Sequence, residues 1–136
     1  MRRKLFFGLL LMAFFSIAAI ANAAITASEY ISDCYAQIAT YSGGRVTVSF
    51  SITATSTMDI LGVQTIIIQE KAPGSSRWTS VATLSSDDYS NMLGYNRSFY
   101  DSNVSYYGGR SGYSYRAKVY FYAEKGGYDT KEFIAD

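Results

Sequence analysis

Val46-Thr47-Val48-Ser49-Phe50-Ser51-Ile52-Thr53-Ala54-Thr55 alternates apolar and hydroxylated side chains without a break. A period of two over ten residues is the pattern of a strand with one face in a core and the other in water. The inward set would be Val46, Val48, Phe50, Ile52 and Ala54. A helix would scatter these five around its circumference.

A second stretch of the same kind runs over 113–123, with Tyr113, Tyr115, Ala117, Val119, Phe121 and Ala123 on one face. Ser114, Arg116, Lys118, Tyr120, Tyr122 and Glu124 fall on the other, and Gly126-Gly127 ends the run. Between the two, 63–71 carries Ile66-Ile67-Ile68, a triplet suited to a strand covered on both sides or central in a sheet. Ile66 and Ile68 are taken as its inward pair. Ala72-Pro73-Gly74-Ser75-Ser76 then supplies turn chemistry, because proline presets φ and glycine accepts the positive φ that follows. The chain should return through Trp78 to Leu84.

Upstream, Cys34, Ala36 and Ile38 alternate into Ser42-Gly43-Gly44, which would join a first strand to the one at Val46. Residues 103–107, with Val104 and Tyr106 paired, and residues 128–134 make two more strands. The polar segment 85–102, holding Asp87-Asp88, fits a helical turn or a long loop. About seven short strands with regular turn signals and no helical periodicity predict an all-β domain. Two half-apolar sheets must cover each other, so a β-sandwich is expected, with a small closed barrel as the alternative.

The N-terminal segment has a different character. Arg2, Arg3 and Lys4 precede an apolar run over 5–20, and Ala21-Asn22-Ala23 follows. That order of basic, apolar and small residues is a secretory signal peptide, and the run is shorter than the ~20 residues a bilayer core requires. Residues 1–23 are therefore expected to be removed, with a cut after Ala21 as the alternative. No cysteine follows either cut to accept a lipid, so no membrane anchor is expected after cleavage. Residues 24–136 would form one domain, secreted into the medium or held at the cell surface.

That domain carries nine basic and eleven acidic side chains, a net charge of −2. Nucleic-acid binding draws most of its affinity from basic footprints, and none is visible. Histidine is absent, which excludes imidazole triads and histidine metal sites. Cys34 is the only cysteine, so it is a buried small hydrophobe, an inter-chain partner or a reactive thiol. Asp87 and Asp88 are adjacent, whereas a glycosidase pair must converge across ~5 to 9.5 Å of substrate space. Asp101-Ser102-Asn103 lacks the glycine and distal glutamate of a calcium loop. No catalytic residue, metal site or cofactor is assigned, and the protein is not expected to be an enzyme.

Thirteen tyrosines stand out. Tyrosine suits strands, and it also suits interfaces, where it offers broad contact area at low entropic cost. The alternation that buries Phe121 would turn Tyr120 and Tyr122 outward beside Arg116 and Lys118. Those four residues form the candidate binding surface, and its partner would be a protein or a glycan. Tyr115, Trp78, Phe50 and Phe121 are expected to be structural.

Gly112-Tyr113-Ser114-Tyr115-Arg116-Ala117-Lys118-Val119 resembles the penultimate strand of fibronectin type III and immunoglobulin-like domains. The resemblance implies that Tyr115 forms a corner by hydrogen-bonding back to the chain, two residues before the inward Ala117. The lack of a cysteine pair and the place of Trp78 after the proline turn favour the fibronectin type. A wider set resembles a family of small secreted proteins from Gram-positive gut bacteria. It comprises 46–51, Met58-Asp59 with Gly62-Val63, Gln69-Glu70-Lys71, Trp78 with Val81, and 106–117. That resemblance implies export and a compact β domain, and carries over no catalytic residue. In a bacterial product the Asn96-Arg97-Ser98 and Asn103-Val104-Ser105 glycosylation acceptors would be chance. The expected function is a secreted, non-catalytic binding or interaction module, the alternative being a bacteriocin-like antagonistic polypeptide.

Overall fold

The computed structural model describes residues 29–136, so the expected signal peptide over 1–23 lies outside the described residues. The described chain is all-β apart from one short 3-10 turn, and it has six strands. They are β1 (Ile31–Tyr41), β2 (Arg45–Lys71), β3 (Thr79–Ser85), β4 (Leu93–Tyr106), β5 (Ser114–Lys125) and β6 (Gly127–Ala135). The turn, Ser90–Met92, leads into β4.

About seven strands were expected, and the difference lies in β2. The stretches 46–55 and 63–71 belong to one strand of 27 residues. Drawn straight, such a strand would reach about 90 Å at ~3.3 Å per residue, several times the width of a domain of this size. It therefore has to curl. Register shifts between Thr53 and Met58 against β4, and between Val63 and Thr65 against β5, supply the irregularities at which a sheet bends.

All pairings are antiparallel and belong to one six-stranded sheet, not two separate ones. The first part of β2 lies between β1 and β4, with Val48 opposite both Ile38 and Val104. The last part lies between β3 and β5, with Ile68 opposite both Ala82 and Ala117. Strand β6 extends the sheet beyond β5. Among the described residues the path ends at β1 and β6, which do not pair as strands. Curling brings these two ends near each other, with the Tyr35 and Phe133 rings 5.7 Å apart.

The core fills the concave side. Val46, Val48, Phe50, Ile52 and Ala54 are all buried, as the alternation predicts, and so are Ile66 and Ile68. Phe50 from the first half meets Phe121 from the second at 6.3 Å, nearly edge-to-face, and Phe121 meets Phe133 at 6.5 Å. Such ring pairs add ~0.5–1.5 kcal/mol beyond the area they bury. Phe50 and Phe121 thus join the two halves, in the structural role expected of them.

Cys34 is buried in the same core and is a free thiol. Burial pushes its pKa up; Lys131 acts in the opposite direction and Asp33 in the same one. This is the small-hydrophobe reading of the three left open.

Turn chemistry sits where the sequence places it. Gly43 and Gly44 link β1 to β2 with φ of +85° and +83°. After β2, the Ser75 amide donates to the Ala72 carbonyl at 3.1 Å, closing a reversal around Pro73 and Gly74. The expected loop or helical turn over 85–102 is mostly neither, because only its first part turns and strand β4 begins at Leu93. Asp87 and Asp88 are exposed in that turn, where Ser85 caps their amides.

Candidate functional site

The outer face of the β3-β2-β5-β6 half carries the surface picked out in the sequence, with one correction. Cross-strand register sets its rows. Ser80, Gln69 and Arg116 are neighbours, then Thr83, Ile67, Lys118 and Ile134, then Ser85, Thr65, Tyr120 and Glu132. Arg116, Lys118 and Tyr120 are half-buried side chains on this face, spaced two residues apart along β5. Ile134 is 46% exposed beside Lys118, an unusual amount of open aliphatic surface.

Tyr122 does not join them. The expectation that its ring would point freely outward fails, because Phe121, Tyr122 and Ala123 are all buried in succession. Its hydroxyl donates to the Glu124 carboxylate, and its ring stacks on Tyr128 at 5.8 Å. Its cross-strand partner is Gly62, where an added Cβ would overlap the Met92 carbonyl oxygen. The Met92 end of the 3-10 turn therefore lies against β2 at Gly62, the residue opposite Tyr122 in register. Alternation gives the direction of a side chain; it does not say what another segment lays over it.

At the other end of the face Trp78 takes a place that strand patterning does not indicate. The Arg116 guanidinium lies 4.5 Å from the centre of its ring, and the Lys71 ammonium 5.0 Å. Arg116 is fixed from a second side, since its Nε–H donates to Gln69 Oε1 at 2.7 Å. Gln69 in turn donates through Nε2 to Ser80 Oγ at 3.1 Å. Both ends of the Gln69 amide are thus used, which accounts for a polar side chain only 8% exposed on an outer face. Cation–π contacts at exposed sites are worth ~0.5–1 kcal/mol each. Trp78 is more than structural filling: it is the half-buried ring around which the cations of this face are arranged.

Compared with known proteins, the chain matches no family model and no curated protein.

On the inner face, directly behind Gln69 and Arg116, the next residues along the same two strands form a buried polar cluster. Glu70 is 8% exposed and opposite Tyr115 in register. The Tyr115 hydroxyl donates to Glu70 Oε2 at 3.0 Å and accepts from the Arg110 amide at 2.7 Å. The second of these is a bond back to the chain five residues upstream, the geometry expected of Tyr115. Arg110 Nε stands 3.9 Å from Glu70 Oε1. Burial pushes the Tyr115 phenol upward; the Arg110 amide opposes this and Glu70 adds to it. The sequence reading did not single out Glu70. Its signal was the parity of Ile66 and Ile68, which, extended by two, carries an acid into the interior.

Proposed function

We propose that the protein is a secreted, non-catalytic β domain that binds a partner protein at the cell surface or in the medium through the Trp78-centred face. The observation that carries this reading is the placement of Trp78 between Arg116 and Lys71, with Lys118 and exposed Ile134 alongside. Tryptophan and arginine are the residue types most often found to dominate binding energy at interfaces. Here both are already fixed by neighbours, which lowers the entropy lost on docking. Within the registered rows two cations, Arg116 and Lys118, face one acid, Glu132, and Lys71 adds a third cation over Trp78, so a partner surface rich in carboxylates complements the charge.

Export is part of the same proposal and rests on residues 1–23. The immunoglobulin or fibronectin type III-like reading belongs here too. Its support is the Tyr115 hydroxyl bonded back to Arg110.

The test is retention of labelled protein on intact cells of the producing culture. W78A and R116Q should each weaken retention at least tenfold while leaving the melting temperature within a few degrees. Protease treatment of the cells should abolish it, and periodate should not. Loss after periodate alone would replace the protein partner with a glycan. Undiminished retention by W78A would remove the face from consideration. N-terminal sequencing of the exported chain should begin at Ala24 or, for the alternative cut, at Asn22.

A further inference from the structure

The turn between β1 and β2 and the loop between β4 and β5 meet at one end of the sheet and enclose a cleft of about 420 Å³. Its two walls are pinned together. The Gly109 amide donates to the Gly44 carbonyl at 2.8 Å, and the next amide, Arg110, is held by the Tyr115 hydroxyl. A Cβ at Gly44 would stand 2.6 Å from the Gly109 oxygen, and one at Gly109 would stand 2.7 Å from the Gly44 oxygen. Only glycine permits this approach, so the cleft is a pre-formed feature of the fold.

Two arginines line it, each over a tyrosine ring. Arg45 lies 4.2 Å from the centre of Tyr41, and Arg110 lies 5.3 Å from that of Tyr113. Arg110 has Glu70 nearby, whereas Arg45 has no carboxylate partner among the described residues. No carboxylate is among the lining residues, and Glu70, behind Tyr115, offsets only one of the two guanidinium charges, so the cleft keeps an excess of positive charge. The remaining side-chain chemistry is hydroxyl, from Thr40, Ser42 and Ser111. The aliphatic lining residue, Val46, is 1% exposed, so there is no receptacle for an apolar side chain or a lipid tail.

We infer that this cleft binds an acidic sugar, with the arginines taking the carboxylate of a hexuronate. Guanidinium forks match carboxylates in a bidentate way, tyrosine rings give a pyranose an amphipathic wall, and hydroxyls satisfy ring oxygens. The site is separate from the Trp78 face and does not depend on the proposal made for it.

The experiment is an amide NMR titration of the protein with trigalacturonate, with maltotriose as neutral control. Saturable shifts are expected at Gly43, Gly44, Gly109 and Arg110, with none from maltotriose. R45Q should weaken binding about tenfold or more, the usual scale for a charge-assisted hydrogen bond. Arg45 is exposed and holds no acid in place, so this variant should keep its fold. R116Q, on the other face, should bind as the parent does. The inference is overturned if these loops show no saturable shift, if maltotriose shifts them equally, or if R45Q binds unchanged. It is overturned as well if a short peptide's terminal carboxylate binds there more tightly than the trisaccharide, or if shifts gather at Trp78 and Arg116.

Discussion

Tyr122 donates to a carboxylate two residues along its own strand, and the consequence is measurable. The bond to Glu124 is the main cause, with burial second, that pushes this phenol from its ordinary value near 10 up to about 12. The protonated phenol is the form the fold holds. Its contribution to stability is therefore complete below the free phenol's value near 10, and is lost as pH rises through about 12. Carbon NMR of labelled tyrosines should show the Tyr122 ring titrating at about 12, and E124Q should lower that midpoint. A Tyr122 midpoint near 10 would contradict the bond. Which way each residue of β5 faces was legible from alternation up to Phe121. Beyond it the covering of Tyr122 comes from the Tyr128 ring on β6 and the Glu124 carboxylate, which alternation along β5 does not record. Trp78 escaped for a similar reason, because the cations that flank it come from two other places in the chain, Lys71 and Arg116.

Strand β2 shows what a pattern can and cannot say about an element. Its two ends were readable, one by strict alternation and one by its isoleucines. The middle, 54–59, reads Ala-Thr-Ser-Thr-Met-Asp, and its polar run looks like a break. The strand continues because residues 54–57 are absorbed in the register shift against β4 while Ala54 still pairs with β1. Continuity there is held by neighbours, as when the Thr55 amide donates to the Tyr30 carbonyl at 2.9 Å. The same strand depends on Gly62 to admit the 3-10 turn. G62A should destabilise the protein by about 1–3 kcal/mol, the ordinary cost of forcing extra volume into a packed site, read as a lower denaturation midpoint. G74A is the comparison that separates crowding from backbone strain. A Cβ there meets nothing within 4 Å, and only its φ of +75° resists the change. If G62A melts like the parent, the turn does not rest on the sheet at that point.

At the scale of the whole sheet the deciding fact is that β2 pairs with β1, β3, β4 and β5, leaving β5 with β6 as the one strand pairing among the described residues that it does not share. Strands β1, β3, β4 and β6 each have a single partner strand and can leave it while the remainder stays paired, whereas β2 and β5 cannot open without breaking several pairings at once. Hydrogen exchange should therefore be faster for amides of the single-partner strands β1, β3, β4 and β6, with the central amides of β2 exchanging only through complete unfolding. Subglobal exchange inside β2 would contradict that order. The partners are also distant in sequence, Thr47 bonding Ser105 and Arg116 bonding Gln69, so folding should occupy milliseconds to seconds. Composition and alternation were enough for the all-β class and the core, whereas the way one strand serves both halves follows from pairings between remote segments.

The exposed residues 55–57 at the bend of β2 accordingly work as the molecule's seam. A protease nick there would leave each fragment holding half of a keel, with open ladders along its length. The cut chain could persist only as two pieces clasped together, and neither would be expected to stand alone.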